Sequence, residues 1–226
     1  MSDEKAGRAV DERLEKFLIE WLGGWPGTPG VHVVGADVRL RPGWDGSTTN
    51  VLGVSTPDGG VLSVAPALAD PVRAAVRTWD DVPVELPRAV GRPQARAFAG
   101  TFRYATDPTD LPDAGEWIAF TDERLPAWLR PFGGEALVAF GSDGAYAAGV
   151  GIKRHNAYGM EISVGTDERH RGQGLASRLV AQAARHILAA GAVPIYLHDP
   201  ANTASDRTAR RSGFPDLGWK IIGVWG

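Results

Sequence analysis

The 226-residue sequence predicts an α/β (α+β) fold: a mixed, mostly antiparallel sheet flanked by helices, with an N-terminal α/β accessory region. Three observations predict it. Short β-like runs meet at tight turns between Ala136 and Val164. A glycine-rich turn at Arg171–Gly174 then opens a long amphipathic helix. After that helix, strand, helix and strand alternate.

Composition narrows the function before any motif is read. Lys plus Arg number 24 against 27 Asp plus Glu, a net charge of -3, so no basic face for nucleic acid is expected. No apolar run is long enough to span a bilayer. The start, Met1-Ser2-Asp3-Glu4-Lys5, is charged and lacks the apolar stretch of a signal peptide. The absence of cysteine excludes disulfides, thiolate metal sites and a cysteine nucleophile. A cytoplasmic protein is expected, with no metal site and neither nucleic acid nor membrane as partner.

Taken in order, residues 4–22 read as an amphipathic helix, because Val10, Leu14, Phe17, Leu18 and Trp21 share one face. Gly23-Gly24 stops it. Val31–Val34, Asn50–Val54 and Val61–Val64 read as strands, the last two joined at Pro57-Asp58-Gly59-Gly60. Pro66–Val76 reads as helix, and Val82–Thr101 carries no decisive period. Nothing before Thr101 forms a chemical motif. Pro108, Pro112 and the aspartates of residues 107–113 mark a boundary, dividing the chain into an accessory region, 1–106, and a second domain, 113–226. Glu116–Leu129 is expected to be helical. Ala136–Phe140, Ala145–Ile152 and the run from Glu161 then form an antiparallel meander, with turns at Ser142-Asp143-Gly144 and His155–Gly159. The next helix runs to about Ala190 on Leu175, Leu179, Ala183 and Ile187. Val193–His198 is a strand, Thr203–Ser212 a helix and Lys220–Trp225 the last strand.

The turn Arg171-Gly172-Gln173-Gly174-Leu175-Ala176 carries the chemistry. Two residues without Cβ atoms let a ligand approach the backbone. The helix behind them presents unpaired N–H groups and a positive dipole end, which suit a pyrophosphate. Arg169, Arg171 and Arg178 add charge. The plainer alternative is a glycine turn that only lets the helix start tightly. A dinucleotide-binding turn is disfavoured: Ser177 stands where its third glycine belongs, and the preceding strands form a meander. A Walker loop is excluded because no Gly-Lys-Ser/Thr follows.

These residues resemble the GNAT acetyltransferase superfamily. Its first signature, Arg/Gln-x-x-Gly-x-Gly/Ala, appears as Arg171 to Ala176. Its second, Asn-x-x-Ser/Ala followed by a helix and Gly-Phe, appears as Asn202, Ser205 and Gly213-Phe214. Glu161–Thr166 matches the strand before the turn, and the wording from Glu161 to Ala176 is similar to a bacterial subgroup that includes antibiotic self-resistance acetyltransferases. The resemblance implies a GNAT fold over about Asp113–Gly226 and an enzyme that moves an acetyl group from acetyl-CoA to an amine. It also implies that the amides of Arg171, Gly172, Gln173, Gly174, Leu175 and Ala176 bind the CoA pyrophosphate. The edge of the strand carrying Val164 and Thr166 would pair with the pantetheine arm where it splays from the next strand. Asn202 and Ser205 would reach the same arm, Asn202 having a helix cap as its alternative role.

The attacking amine must first lose a proton, since an alkylammonium has a pKa near 10.4. Glu161 is the first candidate general base, a solvent-facing strand carboxylate being its alternative. Glu116, Glu135 and His155 rank behind it, and His198 lies beside the expected cofactor. Ala209 stands where many relatives carry a tyrosine that protonates the departing thiolate. A thiol leaves as a tolerable anion, so the chain is expected either to use water or another donor, Tyr196 and Ser205 being nearest in sequence, or to have little transferase activity. The acceptor is expected to be a small-molecule or peptide amine. The N-terminal half is left open between shaping the acceptor pocket and forming a homodimer interface. A different class of reading is a non-catalytic acyl-CoA-binding module.

Overall fold

The computed structural model describes residues 12–26 and 28–225. Its strands form a single mixed sheet in the order β1-β3-β2-β10-β4-β9-β8-β7-β6-β5. The strands are β1 (Gly30–Gly35), β2 (Val51–Ser55), β3 (Gly59–Val64), β4 (Arg96–Tyr104), β5 (Glu116–Ala119), β6 (Glu135–Phe140), β7 (Tyr146–Arg154), β8 (Gly159–Thr166), β9 (Val193–His198) and β10 (Lys220–Trp225). β1 with β3 and β8 with β9 are parallel, and all other neighbours are antiparallel. The expected mixed, mostly antiparallel sheet flanked by helices is therefore what forms.

The first helix, α1 (Glu12–Leu22), buries Leu14, Phe17, Leu18, Trp21 and Leu22, an i, i+3, i+4 stripe. Residues 4–11 of the expected helix, Val10 among them, lie outside the described residues. Gly23, at φ 81°, ends α1. Its stripe packs on Val54, Val61, Phe102, Val193, Ile195 and Ile221, so it covers the middle of the sheet. A Cβ on Gly159 would stand 2.0 Å from the Phe17 ring, so this close seat requires glycine.

On the opposite face lies α4 (Leu175–Ala189). Its Leu179, Val180, Ala183, Ala184 and Ile187 bury against Val150, Ile152, Met160 and Ile162. Alternation along β7 and β8 thus sends Val150, Ile152, Met160 and Ile162 toward α4, and the intervening residues toward α1. α2 (Ala69–Ala75) and α3 (Val82–Ala89) cover a separate cluster with Leu62, Val64 and Ile222, and α5 (Thr203–Arg211) packs beside α4 through Ala209.

Residues 116–129 depart from expectation. They form β5 and then, after a loop, a 3-10 turn at Ala127–Phe132. Trp117 and Ile118 pair with Leu137 and Ala136 of β6, and Pro126 and Pro131 bar an α-helix across the rest. The segment without a decisive period resolves into α3 and β4.

β4 lies between β9 and β10, although it precedes the boundary expected at residues 107–113. Its Arg103 side chain is completely buried. The guanidinium donates to His198 Nε2 at 3.1 Å, to the Phe214 carbonyl at 3.0 Å and to Asp216 at 3.2 Å, and pairs with Asp206 as well. A buried charge is tolerated when its donors are met this fully, and the result locks β4 to β9 and α5.

Candidate active site

The glycine-rich turn is built as its sequence requires. Gly172 and Gly174 have φ of 79° and 76°, the left-handed region that glycine enters without strain. A Cβ at either position would meet open space, so the turn faces outward rather than packing. Among the described residues, no group accepts a hydrogen bond from the amides of Gly172, Gln173 or Gly174. With the first turn of α4 behind them, these N–H groups and those of Leu175 and Ala176 form a cradle for an anion. Arg171 sits 3.4 Å from Glu168 with its side chain mostly exposed, and Arg169 pairs with Asp167. Arg178 is committed elsewhere, donating to the carbonyls of Pro112 and Asp113.

Beside the turn the sheet opens. β8 and β9 pair only over Gly159–Glu161 and Val193–Ile195. Beyond that, β8 runs on to Thr166 with β7 alone, and β9 runs on to His198 with β4 alone. Val164 and Thr166 lie on the freed edge of β8, and Tyr196 is the first residue of β9 past the separation. Pro194, within the short paired stretch, carries no N–H to extend the ladder.

On the α1 side, the opening meets a cavity of about 840 Å³. Its floor includes Lys153, His155 and Glu161 of the β7–β8 hairpin and Leu197 to Pro200 at the end of β9. Its roof is the loop 38–49 of the N-terminal half, which carries Arg39 and Trp44. Trp44 stacks on Phe132 with ring centres 5.2 Å apart, and Lys153 lies 5.4 Å above the Trp44 ring.

Glu161 is buried, because α1 and the roof cover the face a lone sheet would leave to solvent. One carboxylate oxygen accepts from Lys153 Nζ at 2.5 Å, and the other lies 3.0 Å from His155 Nε2. Burial pushes this carboxyl up, but the His155 hydrogen bond and the Lys153 charge outweigh it, and Glu161 is held below the usual glutamate range. Lys153 escaped the sequence reading, yet a signal was present. Lys153 and Glu161 stand opposite each other in the hairpin register, where opposite charges pair.

His155 is packed against Trp21, ring centres 4.7 Å apart. Of the remaining candidates, Glu116 and Glu135 open β5 and β6 at the far edge of the sheet, outside the cavity lining. His198 has both nitrogens engaged: Nε2 accepts from Arg103, so Nδ1 carries the proton and donates to the Asp199 carbonyl at 2.9 Å. It has no lone pair left for a substrate.

Asn202 is the N-cap of α5, its Oδ1 accepting from the Ser205 amide at 3.0 Å. Burial raises the pKa of the Tyr196 phenol, and the nearby Ser205 hydroxyl only partly offsets it. Ala209 is fully buried against the α4 core and has no face toward the opening.

Residues 98–214 match the Acetyltransferase (GNAT) family, a span of just over half the chain that holds the turn, the opening and α5. The chain belongs to the GNAT family of acetyltransferases. Among solved structures, this GNAT chain is similar to a GNAT-family acetyltransferase from Colwellia psychrerythraea (15% identity, 62% of this chain and 61% of that one, TM-score 0.45). It is also similar to a putative GNAT acetyltransferase from Novosphingobium aromaticivorans (23% identity, 57% and 64%, TM-score 0.46). A GCN5-related N-acetyltransferase-like protein from Streptococcus suis is similar over 93% of this chain and 98% of that one (17% identity, TM-score 0.48). The chain thus spans less than two thirds of the first two. No curated protein matches it significantly. Among the described residues of this family member, no helix is long and apolar enough to cross a membrane, and no cluster of His, Asp or Glu is placed to hold a metal.

Proposed function

We propose that this chain transfers an acetyl group from acetyl-CoA to the amine of a small molecule or peptide in the cytoplasm. One observation carries the reading: free backbone amides at a helix N-terminus stand beside a sheet opening that leads to a cavity holding a buried carboxylate–imidazole pair. Acetyl-CoA supplies the thioester. The amides of residues 172–176 hold its pyrophosphate, the Arg171 amide being taken by the Glu168 carbonyl at 3.3 Å, and the freed edge at Val164 and Thr166 holds its pantetheine arm, with Asn202 and Ser205 alongside.

The acceptor amine enters from the cavity. Its proton passes to His155, which Glu161 orients through the Nε2 hydrogen and stabilises once charged, while Lys153 keeps Glu161 ionised. The free amine attacks the thioester carbonyl, forming the C–N bond as the C–S bond breaks. Tyr196, kept protonated by burial and adjoined by Ser205, stands in for the acid that Ala209 does not provide. The division into an accessory region, 1–106, and an acetyltransferase domain, 113–226, belongs to this proposal, with the first region roofing the acceptor pocket and lending β4 to the shared sheet.

The test is release of free CoA from acetyl-CoA in the presence of a panel of amines. Transfer to at least one amine is expected. Saturable acetyl-CoA binding without any transfer would favour the alternative, a non-catalytic acyl-CoA-binding module, for which the buried Ala209 speaks.

A further inference from the structure

Arg39 lines the roof of the cavity and is 5% exposed. It stands in a 3-10 turn, Asp37–Leu40, and its Nη2 donates to the Trp21 carbonyl at 2.5 Å. That carbonyl belongs to the last turn of α1, where no intrahelical donor reaches it. The bond explains one end of the guanidinium only. Arg39 Nε is buried with no hydrogen-bond partner.

Among the described residues, no carboxylate lies within ion-pair distance of Arg39. Three carboxylates face the same cavity, and each is committed elsewhere. Glu161 is held by Lys153 and His155, Asp45 accepts from Ser47, and Asp199 accepts from the Ala201 amide. Arg103 shows how the fold treats a buried guanidinium when its purpose is structural: every edge is met. Arg39 is not treated this way, and burial without a partner lowers its pKa to about 10. A desolvated cation without a counter-ion is a standing cost, relieved when an anion arrives.

We propose that Arg39 binds a carboxylate of the acceptor, so that the substrate is an amine bearing a carboxylate, in the class of amino acids and peptides with a free C-terminus. The inference rests on the reading of the cavity as the acceptor site. Nε itself is closed off by its surroundings, so a carboxylate would meet the guanidinium through its terminal Nη groups, whose N–H bonds suit a carboxylate's oxygens. Trp21 links this anchor to the chemistry, since its carbonyl holds Arg39 and its ring lies 4.7 Å from His155. Trp44 and Phe98 supply apolar wall between the two ends. The carboxylate takes no part in bond making. It fixes the acceptor so that the amine faces His155 and Glu161.

The experiment compares L-amino acids with their carboxamides as acceptors, by CoA release, in the parent and in Arg39→Met. The best amino acid should exceed its amide by about tenfold or more in kcat/KM, mostly through KM. Arg39→Met should erase that ratio by lowering the rate on the amino acid far more than the rate on its amide. Because Arg39 also caps α1, Arg39→Lys is the second variant. It keeps the charge and a donor for Trp21 but lacks the planar pair of terminal Nη groups, and should lose most of the preference while melting near the parent. Equal use of acids and amides by the parent, or a preference that survives both variants, overturns the inference and leaves the acyl-transfer reading standing. No transfer to any acid or amide, with acetyl-CoA still bound, overturns both.

Discussion

His155 Nε2 lies 3.0 Å from Glu161 Oε2, and both side chains are less than a tenth exposed. Lys153 occupies the other carboxylate oxygen, and on the proposed mechanism Glu161 orients His155, whose second ring nitrogen takes the substrate proton. Glu161→Gln and His155→Gln should each lower kcat by about two to four decades while leaving acetyl-CoA affinity nearly intact. The double variant should lose little beyond the worse single, because residues that act as one unit are not additive. Steady-state kinetics on a competent acceptor checks this. Rates within a few-fold of the parent would make Glu161 a structural anchor for Lys153 and nothing more.

The same carboxylate gives a pH dependence of stability. Burial raises the Glu161 pKa, but His155 and Lys153 bring it below the ordinary value. A group depressed in the folded state contributes its stability above the unfolded pKa, about 4.3 for glutamate, and loses it as pH falls through the folded value. Urea denaturation of the parent should therefore weaken below about pH 4.3, and the Glu161→Gln variant should fall less steeply over that window. At neutral pH the variant should be less stable by about 3 kcal/mol, the lower end of the range for a broken buried pair, because Lys153 keeps 23% of its side chain exposed. Parallel pH profiles would contradict the assignment.

Ala209 and Tyr196 make a linked pair of predictions. Ala209→Tyr forces a ring into the filled core against α4 and should cost about 1–3 kcal/mol in stability without a gain in rate. Tyr196→Phe should lower kcat by about ten- to a hundredfold with the KM for acetyl-CoA little changed. Thermal melts and kinetics on both variants decide it. A hundredfold gain from Ala209→Tyr would show that the parent lacks an effective acid.

What the sequence revealed was local. The meander, the glycine turn and α4 carry their own period or turn residues, and each was legible from a dozen positions. Whatever depended on distant segments was not. β4 enters the sheet between β9 and β10, a pairing across about half the chain that no local pattern encodes. Glu161 reads as a solvent-facing strand residue until α1 and the roof loop cover it, because alternation tells which residues share a face but not what lies over it. Arg39 sits in a short 3-10 turn in a loop without period, and its unpaired Nε exists only in three dimensions. Glu116–Leu129 misled because a four-residue strand has too few positions to show alternation.

On the proposed function, the turn at Arg171–Ala176 binds the pyrophosphate of acetyl-CoA. Titration calorimetry of acetyl-CoA into the parent and Gly174→Asp tests it most directly. Asp is among the residues that tolerate the left-handed conformation at this position, and its side chain would enter open space, so the variant should fold. One-to-one binding is expected for the parent, and a loss of about a hundredfold or more for the variant, from a negative charge placed in the anion cradle. No binding by the parent, or unchanged affinity in a folded Gly174→Asp, would contradict it.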